Sequence, residues 1–236
     1  ETQKWAMDMY AKVYRELFAM DGYVGYKSNS ERFAGADNTL SFEALMPSGK
    51  ALQACTSHDL GQNFSKAQSI SFLDQTGERQ HVWQTSWGFS TRSIGGLILT
   101  HGDDNGLVLP PKVAPIQVAI IPIAMHKEGV LEKAAELRDR LKKLYRVKLD
   151  DTDNSPGWKF SEYEMKGVPL RLEIGPKDIE KNQVVLVRRD NREKKFVSID
   201  ALEAEIPAIL ADIQKSLFEK ALQRRNNATY TASTFE

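Results

Sequence analysis

Residues 42–53 read FEALMPSGKALQ, and this stretch decides the fold class of the first half of the chain. Phe42–Met46 and Lys50–Gln53 have the length and the apolar content of strands, and Pro47-Ser48-Gly49 between them is typical of a tight turn. Strands that follow each other through hairpin turns pair in the antiparallel direction. The sequence therefore predicts an antiparallel sheet around this hairpin.

The same pattern extends on both sides of the hairpin. Further strands are predicted at 69–73 and 80–87, separated by a turn at Gln75-Thr76-Gly77. Helices are predicted at 3–20, 60–67 and 92–100 from their apolar spacing. Within the last helix, Gly95-Gly96 predicts close packing on the sheet, since glycine is otherwise unfavourable in a helix interior.

The order of predicted elements changes after the proline-rich segment at 110–115, where we place a boundary between domains 1–112 and 113–236. Strands and helices now alternate, which is typical of a small α/β domain with a mixed sheet. The predicted strands are Ile116–Ile123, Val147–Leu149, Leu170–Ile174, Gln183–Arg188 and Lys195–Ser198, and the predicted helices are Leu131–Tyr145, Lys159–Met165 and Leu202–Arg224.

The composition excludes several classes of protein. With 41% hydrophobic and 27% charged residues, the chain is globular, and its longest apolar run, Val118–Met125, is too short to span a membrane. Cys55 is the single cysteine, so the sequence predicts no disulfide, no metal centre and a reducing compartment, the cytoplasm. Because 32 basic residues balance 32 acidic ones, any contact with RNA must come from local patches.

The densest polar cluster lies between Gln53 and Asn63. We expect Thr56-Ser57-His58 at a helix N-terminus, where hydroxyls, an imidazole and free backbone N–H groups suit a carboxylate or a phosphate. The alternative is that Thr56 or Ser57 only caps the helix. A Ser57–His58 nucleophile is excluded, because neighbours on an extended segment point to opposite faces.

A second cluster covers Thr85–Arg92. A glycine within a strand, Gly88, indicates close approach of a ligand or of another backbone, and Arg92 at the start of a helix can clamp a polyphosphate. The loop Thr100–Gly106 could bind a cation through its carboxylates, but it lacks the calcium-loop pattern, so a solvated turn is the other interpretation.

In the second half, Ser155–Phe160 and Glu162–Arg171 mix aromatic, acidic and basic side chains, a composition that suits unpaired RNA bases. A surface helix with pairs such as Glu162–Lys166 explains the pattern equally well. A local basic patch, suited to phosphates or simply solvated, consists of Lys177, Arg188, Arg189, Arg192, Lys194 and Lys195.

These motifs together resemble one family. The segments Thr56–Lys66, Thr85–Gly95, His101–Pro111, and Ser155–Phe160 with Glu164–Asp178 are similar, in order, to prolyl-tRNA synthetases of the eukaryote/archaeal type. The resemblance implies an α+β fold: part of a class II synthetase catalytic core with an antiparallel sheet, followed by a small α/β anticodon-binding domain. It also implies ATP-dependent ligation of L-proline to tRNA(Pro) through a prolyl-adenylate, with ATP and Mg²⁺, in a cytoplasmic homodimer.

The resemblance also assigns site residues, with no metal ligand among them. It implies catalytic roles for Arg92, His58 and Thr56, ATP binding by Gln53, Thr56 and Arg92, a proline pocket at Phe33, His58, Trp87 and Gly88, and anticodon contacts from Glu164, Lys166 and Arg171.

Two further expectations come from the family pattern. Its motif 1 and its motif 2 arginine have no counterpart in these 236 residues, so we expect the chain alone to be inactive and not to dimerise as the family does. The alternative function is a non-catalytic synthetase-like protein that binds RNA or acts as an accessory subunit. An intact Arg92, Thr56 and His58 favour the enzyme, since a binding module needs no ATP clamp.

Overall fold

A computed structural model describes residues 1–234. The chain forms two compact units. The first unit contains Glu1–Glu16, Met20–Thr100 and the segment that starts at Ala221, and the second contains Leu17–Ala19 and His101–Lys220. The proposed division between residues 112 and 113 stays a prediction.

The first unit is built on a four-stranded antiparallel sheet with the order β1-β2-β3-β6. Its strands are β1 (Gly22–Tyr26), β2 (Asn38–Leu45), β3 (Ala51–Gly61) and β6 (Gln84–Gly88), with a separate hairpin of β4 (Ser71–Leu73) and β5 (Arg79–His81). Its helices are α1 (Thr2–Lys12), which continues as a π-helical turn (Val13–Leu17), α2 (Asn63–Ala67) and α3 (Arg92–His101).

The hairpin of residues 42–53 is confirmed, but the strand that follows it is much longer than predicted. β3 continues to Gly61, so Thr56, Ser57 and His58 lie inside a strand and not at a helix N-terminus. The capping interpretation is also wrong, because the residue before α2 is Gln62. Partners on both sides, β2 and β6, satisfy the backbone of this segment and outweigh the helical spacing that begins at Leu60.

Helix α1 packs on one face of this sheet. Tyr14, at the end of the helix, is fully buried, stacks on Phe42 at 4.8 Å between ring centroids, and donates a hydrogen bond to the carbonyl of Ala54. Close packing of α3 is confirmed at Gly96, where a Cβ would lie 2.7 Å from Leu52, but not at Gly95, which faces open space.

The second unit has the predicted mixed sheet, in the order β11-β10-β9-β7-β8. β7 is parallel to β8 and β9, while β9, β10 and β11 are antiparallel. The strands are β7 (Val118–Pro122), β8 (Val147–Leu149), β9 (Leu170–Ile174), β10 (Gln183–Arg188) and β11 (Lys194–Ser198), and the helices are α4 (Val130–Leu141), α5 (Pro156–Met165), α6 (Pro176–Glu180) and α7 (Leu202–Asn227).

Both faces of this second sheet are covered. Val118 and Ile120 of β7 pack with α4 and α7, whereas the alternating Ala119 and Ile121 pack against Tyr163 of α5. Among residues 1–234, no helix has the length and apolarity that crossing a membrane requires.

Candidate functional site

The first candidate site lies on the face of the first sheet opposite α1, which we call the open face. Side chains alternate along β3: Ser57 is buried and donates a hydrogen bond to the Gln3 carbonyl of α1, so Thr56 and His58 point to the other side. The register pairs His58 with Thr39 and Thr56 with Ser41. Polar residues two apart on neighbouring strands therefore share one surface.

His58 is held at both ring nitrogens. Its Nδ1 lies 2.9 Å from the Thr39 hydroxyl and its Nε2 lies 3.0 Å from the Thr56 hydroxyl. Burial lowers the pKa of His58 below its usual 6.5, which favours the neutral ring. A neutral imidazole has one donor and one acceptor nitrogen, so the two hydroxyls fix its plane and are fixed by it.

An aromatic ring stands beside this imidazole. The centroid of Phe33 lies 5.0 Å from that of His58, and Phe64 lies behind Phe33 at 6.2 Å. About half of the Phe33 side chain is exposed. This arrangement suits a small, partly apolar ligand with one polar end.

One arginine, Arg92, contacts strand β3. Arg92, the first residue of α3, donates a hydrogen bond of 3.2 Å to the carbonyl of Gln53, and Arg92 is exposed. Within residues 1–234 it forms no ion pair with a carboxylate. The guanidinium can therefore pair with an anionic ligand such as a phosphate.

The predicted pocket residues of β6 divide between the two faces. Gly88 pairs with Thr56 across the strands and so adds a bare stretch of backbone beside the open face. Trp87 pairs with Ser57, and its ring lies 6.1 Å from Trp5 and 6.3 Å from the ring of Tyr10, both in α1. The structure does not bring the Trp87 side chain together with His58.

Four further residues on the open face were missed by sequence reasoning. Ser41 donates a hydrogen bond of 2.6 Å to Glu43, and Lys27 forms an ion pair of 2.9 Å with the same carboxylate. With Thr39 they line the β2 side, and Lys27, Ser41 and Glu43 border a cavity of about 600 Å³. The alternation of polar and apolar residues in NTLSFEAL, residues 38–45, is the signal that could have found the three on β2.

The second candidate site is a cavity of about 160 Å³ in the second unit, which we call the arginine cavity. Its polar lining consists of Glu164, Arg171, Arg188, Arg189, Arg192 and Lys194. Arg171 stacks over Phe160 at 4.2 Å and pairs with Glu173 at 2.8 Å.

Of the three predicted anticodon residues, the cavity brings together two. Glu164 and Arg171 line it, whereas Lys166 forms an i,i+4 pair with Glu162 at 2.6 Å, which is the surface-helix alternative. Lys195, another member of the predicted basic patch, pairs with Glu205.

No group of three or more His, Cys, Asp or Glu side chains in the described part of the chain is arranged to hold a metal ion. The loop that could have bound a cation serves another purpose, because both carboxylate oxygens of Asp103 accept hydrogen bonds from Arg189. That bidentate pair lowers the pKa of Asp103 to about 2, against the opposing effect of burial.

Comparison with protein families identifies the second unit. A model described as an anticodon-binding domain matches residues 117–209. This segment contains the whole sheet of the unit and every residue that lines the arginine cavity.

Curated relatives and solved structures match nearly the whole chain. It is 59% identical over 98% of its length to proline–tRNA ligase 2 of Bacillus cereus, and 56% identical to proline–tRNA ligase of Clostridium botulinum, covering 48% of each. A crystal structure of prolyl-tRNA synthetase from Cryptosporidium parvum with L-proline and AMP matches all of it, with a TM-score of 0.91 and 47% identity. A second structure from that organism, with halofuginone and AMPPNP, gives the same TM-score at 46% identity.

The chain spans about half the length of the relatives it matches: 48% of the curated proteins and 53% of the first solved chain. The resemblance to prolyl-tRNA synthetases inferred from the motifs is confirmed over this length. So is the fold class, part of a class II synthetase core with an antiparallel sheet followed by an α/β anticodon-binding domain.

Proposed function

We propose that this chain is the portion of a proline–tRNA ligase that contributes one part of the adenylation site and the anticodon-binding domain. The observation that carries the proposal is the open face, where a neutral imidazole held by two hydroxyls lies beside a half-exposed aromatic ring. Arg92, which forms no ion pair among residues 1–234, contacts the same strand at Gln53. The Cryptosporidium relative that binds proline and AMP supports it.

Adenylate formation needs positioned donors and no protein nucleophile. A carboxylate oxygen of proline attacks the α-phosphorus of ATP, a new P–O bond forms, and pyrophosphate leaves with the bond electrons. Arg92 pairs with the terminal phosphates and stabilises the negative charge that builds up on the leaving group. Gln53 and Thr56 bind the nucleotide.

The second step transfers the proline to tRNA. A hydroxyl of the tRNA 3′-terminal ribose attacks the adenylate carbonyl, an ester bond forms, and AMP leaves. Thr56 lies beside the nucleotide in both steps, and its hydroxyl is already ordered by His58 at 3.0 Å. Preorganised donors of this kind avoid the cost of reorienting dipoles during the reaction.

Proline is held by Phe33, His58 and the backbone of Gly88. The ring of Phe33 packs against the pyrrolidine ring, and neutral His58 lines the junction with the nucleotide without adding positive charge. The Trp87 side chain packs on α1 and supports β6 from behind.

Mg²⁺ is expected to accompany ATP, where it supplies charge neutralisation at the phosphates. A cytoplasmic homodimer is the state expected for the whole ligase.

The arginine cavity reads the anticodon. Proline codons begin with two cytosines, so the matching anticodons carry two guanines, whose edges present N–H donors and an O6/N7 acceptor pair. Glu164 suits the donors, Arg171 suits the acceptors, and the Phe160–Arg171 stack offers a flat surface for a base. Lys166, outside the cavity, is placed to meet the RNA backbone.

The test separates the two units in a ligase that contains these residues. Glu164→Ala and Arg171→Ala are each expected to lower tRNA charging at least about tenfold while proline-dependent pyrophosphate exchange stays near wild type, because a lost bidentate contact to a base costs roughly 1–3 kcal/mol. Ser161→Ala is the matched control, because Ser161 lies on the same helix, does not line the cavity and donates only to the Gly157 carbonyl. Equal losses in both assays would mean that Glu164 and Arg171 only maintain the fold.

A further inference from the structure

Arg189 is the most enclosed cation of the arginine cavity. Its side chain is 3% exposed, and its guanidinium makes three hydrogen bonds: two to the Asp103 carboxylate, at 2.6 and 2.8 Å, and one of 2.8 Å from Nε to the Glu164 carbonyl. It cannot contact RNA through those donors, because they are already engaged. The role of Arg189 is therefore to hold together the segments that accept its hydrogen bonds.

Arg189 connects two segments to the end of β10. One is the last turn of α5, whose residue Glu164 receives the Nε–H at its carbonyl. The other is the loop that starts at Asp103, whose carboxylate also accepts the N–H of Asn105 at 2.9 Å. Three parts of the chain, distant in sequence, are thus joined through one planar group with fixed donor directions.

The loop and the helix end are also in direct backbone contact. Leu107 donates its N–H to the Met165 carbonyl at 2.9 Å, and Leu109 donates to Gly167 at 3.2 Å. A Cβ on Gly106, at φ +125°, would lie 2.6 Å from the backbone of Met165, so only glycine fits there. The loop therefore packs against the C-terminal end of α5, to which Arg189 is hydrogen-bonded.

The side chain of Glu164 is held by the same turn that carries Arg189. Arg192, at φ +63°, forms an ion pair of 3.0 Å with the Glu164 carboxylate. The β10–β11 turn therefore contacts Glu164 at two points: Arg189 donates a hydrogen bond to its carbonyl, and Arg192 forms an ion pair with its carboxylate. The Arg192 side chain is exposed, so its ion pair can exchange partners, whereas the Arg189 side chain is buried.

We propose that Arg189, braced by Asp103, is a positioning residue for anticodon discrimination. It fixes the end of α5 so that the Glu164 carboxylate keeps its place across the cavity from Arg171 when Arg192 exchanges its partner for RNA. This inference rests on the proposed function, since it assumes that the cavity reads guanine. Displacing a recognition group by about 1 Å can cost about 100-fold in a well-ordered site.

A matched control exists on the opposite side of the same unit. Arg140 also donates to both oxygens of one carboxylate, Glu203, and to one backbone carbonyl, Ile199, but it lies outside the cavity. Substituting lysine at either arginine keeps the charge and removes the fork. Only the change at Arg189 should alter RNA discrimination.

The experiment uses the 236-residue chain and two synthetic anticodon stem-loops, one with the paired guanines and one in which both are replaced by adenine. Affinities are measured by fluorescence anisotropy at one fixed salt concentration, since RNA affinity depends steeply on salt. Arg189→Lys is expected to lower the guanine preference about tenfold or more while affinity for the adenine hairpin changes less than threefold. Asp103→Asn should act in the same direction, and Arg140→Lys should leave the preference unchanged.

Each outcome decides one claim. Wild-type protein without a guanine preference overturns the proposed anticodon site itself. A wild-type preference that Arg189→Lys retains, or an equal loss of affinity for both hairpins, overturns the positioning role alone. If Arg189→Lys fails to fold, Asp103→Asn decides: a preference within twofold of wild type overturns the inference, and a lowered preference supports it.

Discussion

The two candidate sites differ in whether their arginines are paired with carboxylates. In the first unit, Arg92 has no carboxylate partner among residues 1–234, and neutral His58 is flanked by two hydroxyls, although Lys27 is paired with Glu43 on the open face. In the arginine cavity all four arginines are already paired: Arg171 with Glu173, Arg188 with Asp190, Arg189 with Asp103 and Arg192 with Glu164.

This difference fits the ligands proposed for each site. A nucleotide triphosphate brings several negative charges, so an unpaired cation gains most from it, while a base is uncharged and must be recognised by donors and acceptors held at fixed positions. Internal ion pairs supply that fixation. They also leave few free cations, so anticodon affinity should depend more on geometry than on bulk charge.

The largest expected effect comes from removing the Arg92 side chain. In a ligase that contains these residues, Arg92→Ala should lower proline-dependent pyrophosphate exchange by about 100-fold or more, because it removes a charge-assisted contact to the developing charge. Arg79→Ala, a surface arginine of the β4–β5 hairpin that contacts Ser71, is the control. Exchange within threefold of wild type would refute the phosphate role.

A second prediction concerns stability in the second unit. Lys159 is 1% exposed, and its ammonium donates to the Asp150 carbonyl at 2.9 Å and lies 3.4 Å from the Asp150 carboxylate. Lys159→Met should lower the unfolding free energy by about 3–5 kcal/mol, because it leaves a buried carboxylate without its cation. Lys166→Met, which breaks an exposed pair on the same helix, should cost about 0–1 kcal/mol. Urea denaturation measures both, and similar values would contradict the assignment.

The smallest expected effect is a pH dependence that separates the two sites. Burial lowers the pKa of His58, so the folded state resists protonation there and loses stability as pH falls below 6.5. Arg189 holds the pKa of Asp103 at about 2, so its contribution is complete above pH 4 and disappears as pH falls from 4 towards 2. The unfolding free energy is measured against pH for both variants. His58→Asn should reduce its pH dependence below 6.5, and Asp103→Asn should reduce it between pH 4 and 2. A change of both proteins in the same window would show that the sites are not independent.

The sequence by itself determined most of the local structure. The bounds of β8, β9 and β10 match the prediction, because short apolar or alternating runs there are bounded by polar residues, glycine or proline. The motifs also identified the family, and the structure brings two of the expected site residues, Thr56 and His58, into contact. The shared role of Arg92 with them stays a prediction. β1, Gly22–Tyr26, was missed because two of its five residues are glycines, which are uncommon in strands. Helix α6, Pro176–Glu180, was missed because one isoleucine cannot give a helical spacing.

Only the tertiary structure decided which face or cavity each side chain reaches. β3 extends through Thr56–Gly61 because strands on both sides pair with it, and the resulting register turns Trp87 towards α1 and His58 towards the open face. Asp103 and Arg189 meet across 86 residues of sequence. Local propensity reflects a residue and its near neighbours, whereas strand register and buried ion pairs depend on which distant segments are brought into contact, and that is set by burial of the whole core.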